Sequence, residues 1–278
     1  MARKVAMLWN DHQDAARESA LKMQRSLEEY GVETTFLENE DAQFVDLIVV
    51  FGGDGTVLYA AERARSWGIP ILGINYGHVG FLTEADPEDI DNVVDSIAKA
   101  RWYKEPRMTI DVGIHYADGH VEHAWALNEA VVSKADGAHV LVADMGVEGK
   151  AVSSFRADSV IFSTSTGSTA YNFSAGGPVV WPDVECMVMT PVAAHALFTR
   201  PLVVGPYSQL ELQVREYDAM LHCDGRRSLH VPAGAAVTAL KGDQPVWLAR
   251  LSNTPFSGRL ITKFDLPVEG WRDKKDRQ

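Results

Sequence analysis

The chain has 278 residues, too many for one ordinary compact domain and comfortable for two. Hydrophobic residues make up 46% and charged residues 23%, the balance of a soluble globular protein with a substantial core. A formal net charge of -12 disfavours non-specific binding to nucleic acid or an anionic membrane, and an anionic substrate would need locally placed donors.

In chain order, KVAMLW (Lys4 to Trp9) reads as a strand, and AARESALKMQRSLEEY as an amphipathic helix stopped by Gly31. VETTFL is a weaker strand. VDLIVVF (Val45 to Phe51) is continuously apolar, as expected for a strand covered on both faces. TVLYAAERARSW has helical character, IPILGIN (Ile69 to Asn75) is another buried strand, and PEDIDNVVDSIAKA is a helix with proline in its first turn. Strands alternating with helices predict a doubly wound, mostly parallel α/β domain over residues 1–105.

After Pro106 the texture changes to short β-branched runs punctuated by DG, GG, PAG and KGD, with one short helical candidate near STAYNFSAGG. This predicts a β-rich, antiparallel, sandwich-like domain over 106–256. The remaining segment, 257–278, packs back on the first domain before ending in charge. Cys186 and Cys223 lack zinc-site spacing and read as reduced, buried thiols. The N-terminus shows no export-signal h-region, and no apolar run approaches the ~20 residues of a membrane span. The expected compartment is the cytoplasm.

FGGDGT, Phe51 to Thr56, follows the buried run. Glycines there let backbone N–H groups approach a ligand, and the next helix contributes a dipole suited to phosphate. An acid in such a loop repels phosphate unless it holds a metal or takes a proton from an attacking hydroxyl. The plainer alternative is a turn in which Asp54 caps the helix at Thr56. The motif is neither a Walker A loop nor a GxGxxG fingerprint, so hydride transfer loses support. GINYGHVGF (Gly73 to Phe81) follows the next strand, which puts Asp54 and the segment Asn75 to Phe81 on one sheet edge; Phe81 faces either a ligand or the core.

LNEAVV sets Asn128 and Glu129 inside an apolar run. One of them would face the core unless the chain turns there, and both need partners from protein or ligand. RADSVIFSTSTGSTAYNFSAGGPVV (Arg156 to Val180) carries a dense hydroxyl cluster, with Gly167 allowing close approach and Tyr171 offering a flat face to a base. Serine- and threonine-rich turns also close on their own backbone without any ligand.

Together these segments, with HALFTRP and HCDGRR further on, resemble the bacterial-type NAD kinase family in kind and order. GGDG alone is shared with lipid kinases and, more loosely, with phosphofructokinases. The resemblance implies Mg²⁺-dependent transfer of the γ-phosphoryl of ATP, or of polyphosphate, to the 2′-hydroxyl of the adenosine ribose of NAD, in a homo-oligomer. It implies Asp54 as the proton acceptor, and Gly52, Gly53, Gly55 and Thr56 as the phosphate loop, with Gly55 also touching NAD. Phe81, Asn128, Glu129, Arg156, Asp158 and Thr166 are implied around NAD. Thr169, Ala170, Tyr171, Asn172 and Ser174 are implied around its adenine, with Ala193 reaching ligand across a subunit interface. Tyr59, His139 and Arg226 stand at the margin of this set. Tyr59 occupies a place where relatives often hold a basic residue, Ser165 replaces a common proline, and Arg226 a common glutamine. The alternatives are a lipid or sugar kinase sharing GGDG, and a non-catalytic NAD(P)(H)-binding sensor in which Asp54 only caps.

Overall fold

The computed structural model describes residues 4–135, 137 and 139–267. The first elements are β1 (Lys4–Trp9), α1 (Asp14–Glu29), β2 (Glu33–Phe36), β3 (Leu47–Gly52), α2 (Asp54–Trp67), β4 (Ile71–Asn75), α3 (Ile90–Ala98) and β5 (Tyr103–Arg107). Then come β6 (Ile110–His115), β7 (Val121–Ala126), β8 (Glu129–Lys134), β9 (Leu141–Val147), β10 (Lys150–Ala157) and β11 (Ser159–Thr164). A 3₁₀ turn at Thr166–Thr169 leads into the short α4 (Tyr171–Ser174). The chain continues through β12 (Met187–Val192), β13 (Leu202–Val204), β14 (Leu210–Val214), β15 (Ala219–Cys223), β16 (Arg227–Val231) and β17 (Ala236–Lys241). It ends with β18 (Val246–Arg250) and α5 (Phe256–Phe264).

The chain divides into two compact units, one of residues 1–106 and 247–278, the other of 107–246. In the first, the sheet order is β2-β1-β3-β4-β18-β5, and the pairs β1–β2, β1–β3, β3–β4 and β4–β18 are parallel. β3 is buried along its whole length, as its unbroken apolar run requires. Its core gathers Met23 and Leu27 of α1, Val49 and Phe51 of β3, and Val93 and Ile97 of α3. Gly31 stops α1 in the left-handed region, at φ 74°.

The second unit has two six-stranded sheets, β10-β9-β14-β17-β6-β7 and β13-β12-β11-β8-β15-β16, with antiparallel pairing throughout the registers described. One apolar cluster, including Ile110 and Leu212 from the first sheet and Val132 and Phe162 from the second, serves both. The two-unit α/β plus β-rich organisation is the expected one. The second crossing is earlier than the sequence suggests: β18 lies at 246–250, and Leu248 pairs in parallel with Ile71, so 247–256 joins the first unit. α5 belongs there too, whereas the end of the tail, 268–278, lies outside the described residues. Among the described residues no helix is long and apolar enough to cross a membrane.

Candidate active site

In the first unit, β3 ends at Gly52 and α2 begins at Asp54, with Gly53 as its N-cap and no side-chain capping bond. Asp54 therefore does not cap the helix. Its carboxylate instead accepts the Phe81 amide at Oδ2 and the Leu82 amide at Oδ1, both at 3.0 Å. The two glycine loops thus meet at one sheet edge, and the acid of the first is oriented by the backbone of the second. Gly80 is required for this approach, because a Cβ there would stand 2.2 Å from Asp54 Oδ1. By contrast nothing lies within 4 Å of where a Cβ would stand on Gly53 or Gly55, which leaves open space beside the acid. Thr56 is half-buried, with Oγ1 against Gly52, and Tyr59 is half-buried on α2.

The Phe81 ring is buried and packs against Phe256 and Phe264 of α5 at centroid distances of 5.4 and 6.0 Å.

In the second unit, the chain bends at 127–128 between β7 and β8, which resolves the polar pair in the apolar run. Asp224, left-handed at φ 52°, sits beyond β15 and gathers the amides of Leu127 (3.0 Å), Asn128 (2.7 Å) and Glu129 (3.4 Å) on its carboxylate. Arg227 completes it at 3.0 Å. The bend leaves Asn128 Oδ1 and Glu129 Oε2 buried without a hydrogen-bond partner among the described residues. Unpaired buried polar atoms are costly, of order 1–3 kcal/mol each. Burial pushes the Glu129 carboxyl up to about 8, the Asp224 charge adds to the rise, and the Tyr171 amide opposes it. Asp224 is also raised by burial, against the pull of its amide donors and Arg227. Asp224 holds the donors of the pair, so the proton resides on Glu129.

A carboxyl with a raised folded pKa stabilises most below its unfolded value, near 4.5, and loses that contribution as pH rises toward about 8. Glu129→Gln removes the loss. Its Tm relative to wild type is expected to climb between pH 5 and pH 8, and a flat difference would show that Glu129 is ionised throughout.

Four hydroxyls of the segment are held by its own backbone and neighbouring carbonyls. Thr164 Oγ1 donates to the Leu127 carbonyl at 2.6 Å and accepts from Gly167 N, while Ser163 and Ser168 donate to backbone carbonyls. Ser165 donates to the Val184 carbonyl. These hydroxyls close the turn on itself, and Gly167 is needed because its Cβ would lie 2.0 Å from the Asn128 carbonyl oxygen. Asn172 is fully buried; it accepts from Thr190 Oγ1 at 2.6 Å and donates to the Pro178 carbonyl, bonds that brace the segment. Thr166 is buried, Thr169 and Ala170 are half-buried, and Tyr171 and Ser174 are exposed.

Arg156 and Asp158 are exposed at the β10–β11 junction, where Asp158 pairs with Lys134 at 2.7 Å. Ala193 is exposed and left-handed at φ 50°, and Arg226 is exposed after Gly225. His139 stacks on Tyr217 at 4.1 Å. Cys186 and Cys223 are buried free thiols, and burial pushes Cys223 up to about 12, so it is inert at neutral pH. Among the described residues no group of three or more His, Cys, Asp or Glu is arranged to hold a metal ion. Sequence reasoning passed over Asp224, whose DG context reads only as a hairpin turn.

The fold matches solved nucleotide kinases. An NAD kinase from Archaeoglobus fulgidus in complex with ATP superposes with a TM-score of 0.75 at 29% identity, covering 94% of this chain and 98% of that one. Yeast NADH kinase complexed with NADH superposes at 0.85 with 19% identity, over 97% and 89%, a likeness of fold. Residues 4–102 match the ATP-NAD kinase N-terminal domain and residues 127–251 the ATP-NAD kinase C-terminal domain. The chain is 49% identical over 229 residues to NAD kinase 2 of Streptomyces coelicolor, covering 82% of this chain and 76% of that protein. With the NAD kinase of Rhodococcus opacus the identity is 45% over 249 residues, covering 88% and 78%. The chain belongs to the NAD kinase family.

Proposed function

We propose that the chain transfers the γ-phosphoryl of MgATP to the 2′-hydroxyl of the adenosine ribose of NAD, forming NADP, with Asp54 as the base. The observation that carries this is the Asp54 carboxylate, held by two amides and bordered by open glycines rather than consumed by capping its helix. A ribose hydroxyl is a weak nucleophile at pH 7. Asp54 takes its proton as the O–P bond to the γ-phosphorus forms and the bond to the ADP oxygen breaks. The loop Gly52 to Thr56 and the N-terminus of α2 receive the phosphates. Mg²⁺ enters with ATP as part of the substrate and supplies charge neutralisation.

Asn128 Oδ1 and Glu129 Oε2 meet the adenosine part of NAD, and a protonated Glu129 donates to a ligand acceptor. Tyr171, 43% exposed, stacks on the base, with Thr169, Ala170 and Ser174 around it, and Arg156 and Asp158 toward the nicotinamide end. Polyphosphate is the alternative donor. The protein acts in the cytoplasm, in keeping with its free thiols. It acts as a homo-oligomer, a reading supported by bare Leu197 (110% exposed) and Tyr207 (94%) around edge strand β13, near Ala193 in sequence. A substrate panel of NAD, NADH, diacylglycerol and fructose 6-phosphate, each with ATP and with polyphosphate, tests the assignment. Phosphorylation of the dinucleotides alone is expected, and turnover confined to the lipid or the sugar would overturn it.

A further inference from the structure

The amides that orient Asp54 belong to a short segment, 81–84, which is fixed on two sides. Toward the sheet, the Glu84 and Ala85 amides donate to the Gly73 carbonyl at 2.7 and 3.3 Å. On the other side stands α5, outside both family-matched stretches of residues 4–102 and 127–251. Phe256 and Phe264 pack against the Phe81 ring. Arg259 donates to the Thr83 carbonyl, reaches the Phe81 carbonyl at 3.5 Å, and pairs with Glu84 at 2.5 Å. The Arg259 side chain is 13% exposed and that of Glu84 1%, so the pair is shielded from solvent.

We propose that Arg259 is a positioning residue for Asp54, and that α5 is the clamp through which it acts. The guanidinium fixes the carbonyls of Phe81 and Thr83, the aromatic pair fixes the Phe81 ring, and the amides of Phe81 and Leu82 then set the plane of the carboxylate. Without the clamp the segment retains its inner hydrogen bonds to Gly73 and the Arg250 contacts to the Thr83 carbonyl (3.3 Å) and Glu84 (3.0 Å), which hold its far end. The Phe81 end loses its anchor, and the carboxylate turns away from the direction a hydroxyl proton needs. A displacement of about 1 Å at a reacting group costs up to about 10²-fold in rate. Substrate affinity is unaffected, because Arg259 meets only the backbone carbonyls of Phe81 and Thr83 and the Glu84 carboxylate, none of them a side chain assigned to NAD.

The kinetic part rests on the NAD kinase reading, so the test has one readout free of it. Amide hydrogen exchange at Phe81 and Leu82 is measured in wild type, Arg259→Met, Arg259→Lys and Phe264→Leu, alongside kcat, KM for NAD and Tm. Expected are faster exchange at both amides in Arg259→Met and in Phe264→Leu, and a kcat lowered by up to about 10²-fold at unchanged KM. Partial recovery is expected in Arg259→Lys, which keeps a cation near the Thr83 carbonyl. On an Asp54→Asn background, Arg259→Met should lower kcat no further, since both changes act through one group. Unchanged exchange in the folded variants, or a kcat loss that adds fully to that of Asp54→Asn, would overturn the proposal. Should Arg259→Met not fold, Phe264→Leu reads the same clamp from its aromatic side. A wild type that makes no NADP while the exchange result holds removes the reaction assigned to Asp54 and leaves the clamp standing.

Discussion

Asp54→Asn is expected to lower kcat for NADP formation by roughly 10²–10⁴-fold, the usual worth of a positioned base. The substitution preserves shape and removes proton affinity. One amide donor, from Phe81 or Leu82, keeps an oxygen to meet, while the other faces the new NH₂ group and loses its acceptor. That loss costs on the order of 1–3 kcal/mol of stability. Kinetics and thermal unfolding are therefore measured together, below the variant's transition. A fall in kcat with the protein fully folded assigns chemistry to the carboxylate. A folded variant with undiminished kcat would show Asp54 to be structural.

The second large effect is on stability. Glu84 is the hub of a buried charge network, pairing with Arg250 at 3.0 Å and Arg259 at 2.5 Å and accepting the amides of Leu251 (2.9 Å) and Ser252 (3.1 Å). Its side chain is 1% exposed, and those of the arginines 4% and 13%. Glu84→Gln keeps an acceptor but removes the negative charge between two guanidiniums. Stripping one partner from a buried pair costs about 3–5 kcal/mol. Arg250 also pairs with Glu105, which places the expectation near the lower end. Urea unfolding of the two proteins measures it, and a loss under about 1 kcal/mol would show that water or rearrangement relieves the charges.

What the residues announced in advance was what local pattern carries. The alternation of strand and helix that stops near Pro106 foretold both units, because period and turn chemistry are local properties. The second domain was drawn too far, to 256, because nothing in VWLAR says that Leu248 pairs with Ile71. Asp54 and Glu129 stood out as acids in glycine-rich and apolar settings, where a carboxylate needs a reason to be. In the hydroxyl segment composition does not separate internal bonds from ligand contacts: Thr164 and Asn172 look no different from their neighbours in the sequence, and their partners are the Leu127 carbonyl and Thr190. Asp224 and Arg259 were invisible because the amides and carbonyls they hold lie 95 to 178 residues away along the chain.

The most direct test of the central claim is to incubate the purified chain with NAD, ATP and Mg²⁺ and locate the new phosphate by ³¹P NMR. The account predicts NADP carrying a 2′-phosphate on the adenosine ribose, formed by wild type and all but lost with Asp54→Asn. Tight dinucleotide binding with no turnover, or phosphate at any other hydroxyl, would contradict it.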